Sequence, residues 1–222
     1  MAIDWFPLWL SLRVAAIATV VSLAISLAVA YLLAYRQWRG RELLDALTTL
    51  PLVLPPTVLG YYLLVVIGRE SVVGRLYESI FGSPLVFTWQ AATIAALFHS
   101  TPLLIKFTRA AFESIDPSYP RAARNLGASE WKVFWRVTVP LARRSIFAAA
   151  ALAFARSLGD FGITIMIAGN IPGRTQTIAV AIYDAVESGN GALARALSLV
   201  ISAVAIAILY LTNRLERSRP AR

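Results

Sequence analysis

Five long apolar runs constrain the fold of this chain more than any other feature of its sequence. They cover approximately residues 8–35, 50–67, 89–107, 145–168 and 193–212. A helix needs about 20 mostly apolar residues to cross a bilayer. Hydrocarbon offers no hydrogen-bond partner, so the backbone N–H and C=O groups must bond to each other, as they do within a helix. The chain has 222 residues, of which 58% are hydrophobic and 15% charged. We therefore predict an all-α integral membrane protein with about five transmembrane helices in a single domain, residues 1–222.

The basic residues are distributed unevenly between the two sides of these predicted helices. Fifteen lysines and arginines follow the first, third and fifth runs, whereas four lie in the turns on the opposite side. Because positive charge accumulates in cytoplasmic loops, this predicts an N-terminus outside and a C-terminus in the cytoplasm. Topology thereby explains the net charge of +9, and no basic run is interleaved with stacking aromatic residues. We predict no nucleic-acid binding.

The available residue types leave little room for catalysis inside the membrane. The chain has no cysteine and one histidine, His99, which excludes a thiolate nucleophile and a cysteine metal site. His99 lies beside Ser100 and Thr101, and we expect it to hydrogen-bond a neighbouring helix rather than to bind a ligand. We predict a non-catalytic protein without a metal site, with a channel or an intramembrane enzyme as the alternative from a different class.

Three prolines interrupt the start of the second run, in the sequence Leu50-Pro51-Leu52-Val53-Leu54-Pro55-Pro56. Proline lacks the backbone N–H and clashes with the preceding turn, so it kinks or breaks a helix. Irregular backbone at membrane depth is tolerated only against protein or a water-filled cavity. This predicts that Pro55, Pro56 and Thr57 face the interior of the assembly; the alternative is a simple helix entry with proline in its first turn.

Polar and charged residues interrupt the fourth run between Arg156 and Thr164. Charges at membrane depth are costly, so Arg156 and Asp160 are expected to face a bundle interior or a cavity. One interpretation is a substrate path that they line together with Ser157 and Thr164. The other is a structural ion pair, because Arg156 and Asp160 are four residues apart and could meet on one helix face.

A cytoplasmic stretch at residues 108–144 carries the signals of two further helices. Asp116-Pro117 marks the start of a polar helix that ends near Gly127. Ser129 is a typical N-cap for a second, amphipathic helix that contains Trp131, Phe134 and Trp135. One such helix could lie on the membrane surface, whereas a pair in a short basic segment indicates a docking element.

The same stretch contains a spaced motif: Arg121-Ala122-Ala123, three residues, Gly127, nine residues, then Val137-Thr138-Val139-Pro140. It resembles the EAA loop of ABC importer permeases, which reads Glu-Ala-Ala, three residues, Gly, nine residues, Ile-x-Leu-Pro. Val137 and Val139 are conservative exchanges. Arg121 replaces the family glutamate, which affects contacts that need a carboxylate but not the geometry of the loop. Two alanines allow close packing, and the glycine permits a tight chain reversal.

Other segments narrow the resemblance to the molybdate branch of these permeases, namely residues 50–60, 152–162 and 170–173, and the likeness runs from residue 8 to 214. It implies the type I ABC importer permease fold, a homodimer in a bacterial or archaeal cytoplasmic (inner) membrane, two cytoplasmic ABC ATPase subunits and an external oxyanion-binding protein. Molybdate is the implied cargo, with tungstate or sulfate as alternatives because each is a tetrahedral dianion.

The resemblance also divides the roles between this chain and its partners. The chain has no Walker A motif, so ATP and Mg are expected to bind the partner ATPase, and we predict no cofactor in this chain. The coupling loop that touches the ATPase is predicted to comprise Arg121, Ala122, Ala123, Gly127, Val137, Val139 and Pro140. The translocation path is predicted at the dimer axis, lined or gated by Pro55, Pro56, Thr57, Arg156, Ser157, Asp160 and Thr164.

Overall fold

The computed structural model describes residues 4–217, which contain helices and turns but no strand. Arg219 and Arg222, which support the predicted orientation, lie outside the described residues. In chain order the helices are α1 Phe6–Tyr35, α2 Arg41–Val53, α3 Pro56–Ile67, α4 Val72–Phe81, α5 Trp89–Glu113, α6 Ser118–Asn125, α7 Glu130–Val133, a π-helical turn Phe134–Thr138, α8 Val139–Leu158, α9 Gly162–Ile167, α10 Ile178–Glu187 and α11 Gly191–Arg217.

Within residues 4–217, four helices are long and apolar enough to cross a membrane: α1, α5, the continuous helix Glu130–Leu158, and α11. The bent pair α2 and α3 makes a fifth if the two cross as one span. The predicted all-α membrane protein is thus confirmed.

The second predicted span, residues 50–67, is two helices. α2 begins at Arg41, nine residues before the apolar run, and α3 begins at Pro56 after a bend of 115°. The bend lies at Leu54 and Pro55, where the extended backbone matches the restrictions that proline imposes on itself and on the residue before it. Pro51 by contrast lies inside α2, in its last turn.

The fourth predicted span, residues 145–168, is wrong at both ends. On one side the predicted amphipathic helix continues into the span without a break, as α7, the π turn and α8. The π turn ends at Thr138, two residues before Pro140, whose missing N–H and bulky ring would disturb a regular α-helical turn. On the other side α8 ends at Leu158, and the chain continues irregularly to the short helix α9.

The boundaries of the predicted loops also differ, because the helices do not end where the apolar runs end. α5 continues past the apolar run to Glu113, so only residues 114–129 of the 108–144 stretch, including α6, lie between long helices. Residues 68–87, between α3 and α5, contain helix α4. The residues that follow Thr177 form α10, whose Ile178 and Val180 are buried. The Ser11 hydroxyl of α1 accepts a hydrogen bond from the Ile178 N–H at 2.8 Å.

α1 and α5 form the centre of the bundle and pack through small residues. Ala15, Ala18, Ala91 and Ala95 have no exposed surface, and small side chains of this kind let two helix backbones approach closely. At mid-depth, the hydroxyls of Ser22 and Thr101 share a hydrogen bond of 2.7 Å.

An ion-pair cluster fixes α2 against α5. The carboxylate of Asp45 accepts hydrogen bonds from Lys106 Nζ at 3.2 Å and from Arg109 Nη1 at 2.9 Å. Arg41, at the start of α2, donates to the carbonyl oxygen of Leu33 near the end of α1. α2, which precedes the bend, is therefore bound to both central helices, α1 and α5.

Candidate functional site

α6 is a short polar helix with defined boundaries at both ends. Asp116 Oδ1 accepts the backbone N–H of Ser118 at 2.8 Å, and this hydrogen bond lowers the pKa of Asp116. At the other end Gly127 has a φ of +81°, and the N–H of Ala128 reaches back to the carbonyl oxygen of Ala123 at 3.1 Å. This is a Schellman-type ending, which favours glycine at the left-handed position.

One side of α6 is an exposed surface that packs against no other helix among the described residues. Arg121 and Ala122 of the predicted motif are exposed, as are Tyr119 at 58% and Leu126 at 89% of their surfaces. Tyr119 lies in the first turn of α6 and Leu126 directly follows its last residue. Ala123 is half-buried within α6, and Gly127 is exposed just after it. The last part of the motif lies outside α6: Val137 is in the π turn, and Val139 and Pro140 begin α8.

A hydrogen-bonded latch, formed by Arg124, Glu130 and Tyr31, connects α6 to the membrane helices. Arg124 donates from Nε to Glu130 Oε1 at 2.7 Å and from Nη2 to Oε2 at 3.3 Å. The Tyr31 hydroxyl, on α1, donates to Glu130 Oε2 at 2.9 Å. The bonds to Glu130 raise the pKa of Arg124, so its guanidinium stays charged and the latch is a charge-assisted network.

Aromatic residues pack beneath this latch and continue the connection. The Tyr31 ring meets Phe134 at a centroid distance of 4.9 Å and Tyr35 at 5.1 Å. The Tyr35 hydroxyl donates to the carbonyl oxygen of Phe112 on α5 at 2.8 Å. α6 is thereby connected to α1, to α5 and to the helix that leads into α8. In the sequence this cluster is indicated only by two aromatic groups, the tyrosines at the end of the first apolar run and the aromatic residues of the predicted amphipathic helix.

The two broken helices meet at their breaks. A Cβ added to Gly162, the first residue of α9, would lie 2.6 Å from Pro56 Cβ at the start of α3. One turn along α3, a Cβ on Gly60 would lie 2.7 Å from Met166 Sδ of α9. Both distances are shorter than van der Waals contact, so glycine is what allows α3 and α9 to pack this closely.

The predicted path residues divide into an exposed and a buried set. Pro55, Pro56, Thr57 and Arg156 are exposed on the protomer. Ser157, Asp160 and Thr164 are buried. The Ser157 hydroxyl donates to the carbonyl oxygen of Ala153 at 2.9 Å within its own helix.

Asp160 is bound by α9 rather than by Arg156. Its Oδ2 accepts the N–H of Thr164 at 3.2 Å and the Thr164 hydroxyl at 2.5 Å, and its Oδ1 lies 3.9 Å from His99 Nδ1 of α5. Arg156 and Asp160 form no ion pair, because α8 ends at Leu158 and the regular helical spacing between them is lost. His99, to which the sequence assigned no function, therefore lies at the break.

Comparisons with known proteins give a consistent result. Residues 8–218 match the family described as binding-protein-dependent transport system inner membrane component. The putative molybdenum transport system permease protein YvgM of Bacillus subtilis (strain 168) is 42% identical over 204 residues, 92% of this chain and 90% of YvgM. The molybdenum transport system permease protein ModB of Escherichia coli (strain K12) is 39% identical over 223 residues, 99% of this chain and 97% of ModB.

A sulfate permease and a solved transporter are also similar. The sulfate transport system permease protein CysT of Escherichia coli (strain K12) is 32% identical over 206 residues, which cover 93% of this chain and 74% of CysT. A chain of the MetNI methionine ABC transporter, solved in inward-facing conformations, superposes with a TM-score of 0.75 at 17% identity, covering 96% of this chain and 94% of that chain. At this identity the structural likeness concerns the fold alone.

Proposed function

Because the chain belongs to the family of binding-protein-dependent transport system inner membrane components, we propose that it is the permease of an ABC importer for molybdate. The observation that carries the proposal is the 39–42% identity to molybdenum transport permeases over at least nine tenths of the chain. Sulfate is the weaker alternative, since the sulfate permease is 32% identical and this chain covers 74% of its length.

The exposed side of α6 is the surface that we propose for the ATPase. It presents Arg121, Ala122 and Leu126 outside the bundle, while its other side is bound to the membrane helices through Arg124 and the latch. A helix with one free side and one bound side can transmit a displacement from a partner protein to the helices α1 and α8. ATP and Mg would bind that partner, which supplies the energy.

The exposed break at the start of α3 and the exposed Arg156 near the end of α8 support a path between two copies of the chain. A dianion loses much hydration energy in hydrocarbon, so it needs a polar, gated route. Pro55, Pro56, Thr57 and Arg156 are exposed at this level and would line the route. Asp160, Ser157 and Thr164 are buried in the protomer, and we assign them to holding α8 and α9 in place.

We accordingly propose a complex of two permease copies, two cytoplasmic ATPase subunits and an external binding protein, with the N-terminus of this chain outside. The test is to express the chain with its genomic neighbours, purify the complex and measure ATP hydrolysis in vesicles. Binding proteins loaded with molybdate, tungstate or sulfate are then added in turn. Stimulation by the molybdate-loaded protein is expected. Absence of a co-purified ATPase would contradict the importer, and stimulation by sulfate alone would contradict the cargo.

Replacing Arg156 by glutamine is expected to lower molybdate uptake by about tenfold, which corresponds to about 1.4 kcal/mol of lost stabilisation of the moving anion. The residue is exposed at the break and has no ion pair with Asp160. Uptake into vesicles containing equal amounts of complex is the measurement. Arg39→Gln, which removes an equally exposed charge from the α1–α2 turn, is the control and should retain uptake. Equal uptake by both variants would give Arg156 a structural role only.

A further inference from the structure

A groove runs along α1 on the surface of the bundle and is separate from the breaks and from α6. It encloses about 750 Å³ between the α1 side chains from Val20 to Leu32 and a second wall formed by Trp131, Phe134 and Trp135. Its lining is almost entirely apolar, apart from Tyr31, Arg36 and Glu130 at one end. We call it the α1 groove.

The length of the α1 groove matches one leaflet of a bilayer. From Val20 to Arg36 the helix advances 16 residues, which at 1.5 Å per residue is about 24 Å. A bilayer including its headgroups is about 40–45 Å thick, so one leaflet is about 20–22 Å. Val20 lies near the middle of α1, and Arg36 follows its last residue. The groove thus extends from mid-membrane to the membrane surface, as one acyl chain and its headgroup do.

The polar end of the groove carries one exposed positive charge, Arg36, which interacts electrostatically with the Glu130 carboxylate without forming an ion pair. Among the side chains that the structure describes, none forms an ion pair with Arg36, which is exposed. The nearby carboxylate of Glu130 is already bound by Arg124 and Tyr31, so Arg124 balances its charge. Trp131 and Trp135, exposed at 70% and 45%, flank this end. Tryptophan is enriched at the level of lipid headgroups.

We propose that the α1 groove binds an anionic phospholipid, with an acyl chain along α1 and the headgroup phosphate at Arg36. The apolar walls shield the acyl chain from mobile lipid, and the guanidinium attracts the phosphate oxygens. In a zwitterionic headgroup the ammonium cancels the phosphate charge, so the attraction to Arg36 is weaker. The bound lipid lies between α1 and the start of the helix that carries Glu130, beside the latch. The site depends on neither the cargo nor the ATPase.

The first experiment measures which lipid occupies the groove. The chain contains no cysteine, so Ala24→Cys places a single fluorescent label on the exposed side of α1 inside the groove. The purified complex is reconstituted with brominated phosphatidylglycerol or brominated phosphatidylcholine at equal mole fraction. Stronger quenching by phosphatidylglycerol is expected. Ala203→Cys, exposed on α11 outside the groove, is the matched control, and the two lipids should quench its label equally.

The second experiment tests the role of the cation. Arg36→Gln should abolish the preference of the Ala24→Cys label for phosphatidylglycerol, whereas Arg39→Gln, three residues further along, should keep it. Equal quenching by both lipids at Ala24→Cys would reduce the occupant to ordinary annular lipid and overturn the proposal. So would a preserved preference in Arg36→Gln, or disulfide cross-linking between copies through Ala24→Cys, which would show that a second copy of the chain covers the groove.

Discussion

Replacing Gly162 by leucine is expected to abolish molybdate transport while the chain still inserts into the membrane. The added Cβ would lie 2.6 Å from Pro56 Cβ, and the larger side chain would force α9 away from α3. Overpacking of this kind costs on the order of 1–3 kcal/mol, and each 1.4 kcal/mol corresponds to a factor of ten in a rate or an equilibrium. The long helices α1, α5 and α11, which do not involve this contact, should still insert. Uptake and membrane yield are measured on the same vesicles.

A neighbouring glycine provides the control for this prediction. Gly159 lies at the same break, but a Cβ there would meet only the Arg156 carbonyl oxygen, at the ordinary distance of 3.8 Å. Gly159→Ala should therefore transport normally, and Gly162→Ala should lose part of the activity. If Gly162→Leu retained full uptake, close packing of α3 against α9 would not be needed for the path. If Gly159→Ala lost as much activity as Gly162→Leu, flexibility of the break rather than packing would be responsible.

The apolar runs predicted the order of the apolar helices, four of them long and one a bent pair, because burial in lipid is a property of each segment alone. They did not predict where those helices end. α5 continues through Lys106 and Arg109 to Glu113, since the backbone hydrogen bonds of a helix persist after the apolar stretch has left the hydrocarbon. The break before α3 was predicted correctly from Pro55 and Pro56, because the effect of proline on the backbone is local.

The candidate site was predictable only where its chemistry is local. The spaced motif around α6 was visible in the sequence, including the left-handed Gly127. The latch was not, because Tyr31 and Glu130 are 99 residues apart and become neighbours only when α1 packs beside α7. The interpretation of Arg156 and Asp160 as an ion pair assumed a continuous helix, and the end of α8 at Leu158 removed that assumption.

Gly127→Trp is expected to cause the second large effect, the loss of coupling between ATP hydrolysis and transport. Gly127 has a φ of +81°, where a residue with a side chain costs about 1–2 kcal/mol, so the end of α6 would change its conformation. Beyond its chain neighbours, no atom of residues 4–217 lies within 4 Å of the added Cβ, so the indole would project into the space that we propose for the ATPase. The measurement compares the stimulation of ATP hydrolysis by loaded binding protein with molybdate uptake in the same vesicles.

Gly189→Trp is the control that distinguishes a blocked ATPase surface from the effect of backbone strain. Gly189, between α10 and α11, has a similar φ of +72° and equally open surroundings, but it lies at the opposite end of the bundle from α6 under the proposed topology. The two variants should lose similar thermal stability, and only Gly127→Trp should lose stimulated hydrolysis or the co-purified ATPase. Normal stimulation in Gly127→Trp would remove α6 from the interface. Equal losses in both would mean that strain in a left-handed turn, rather than a blocked partner surface, disables the complex.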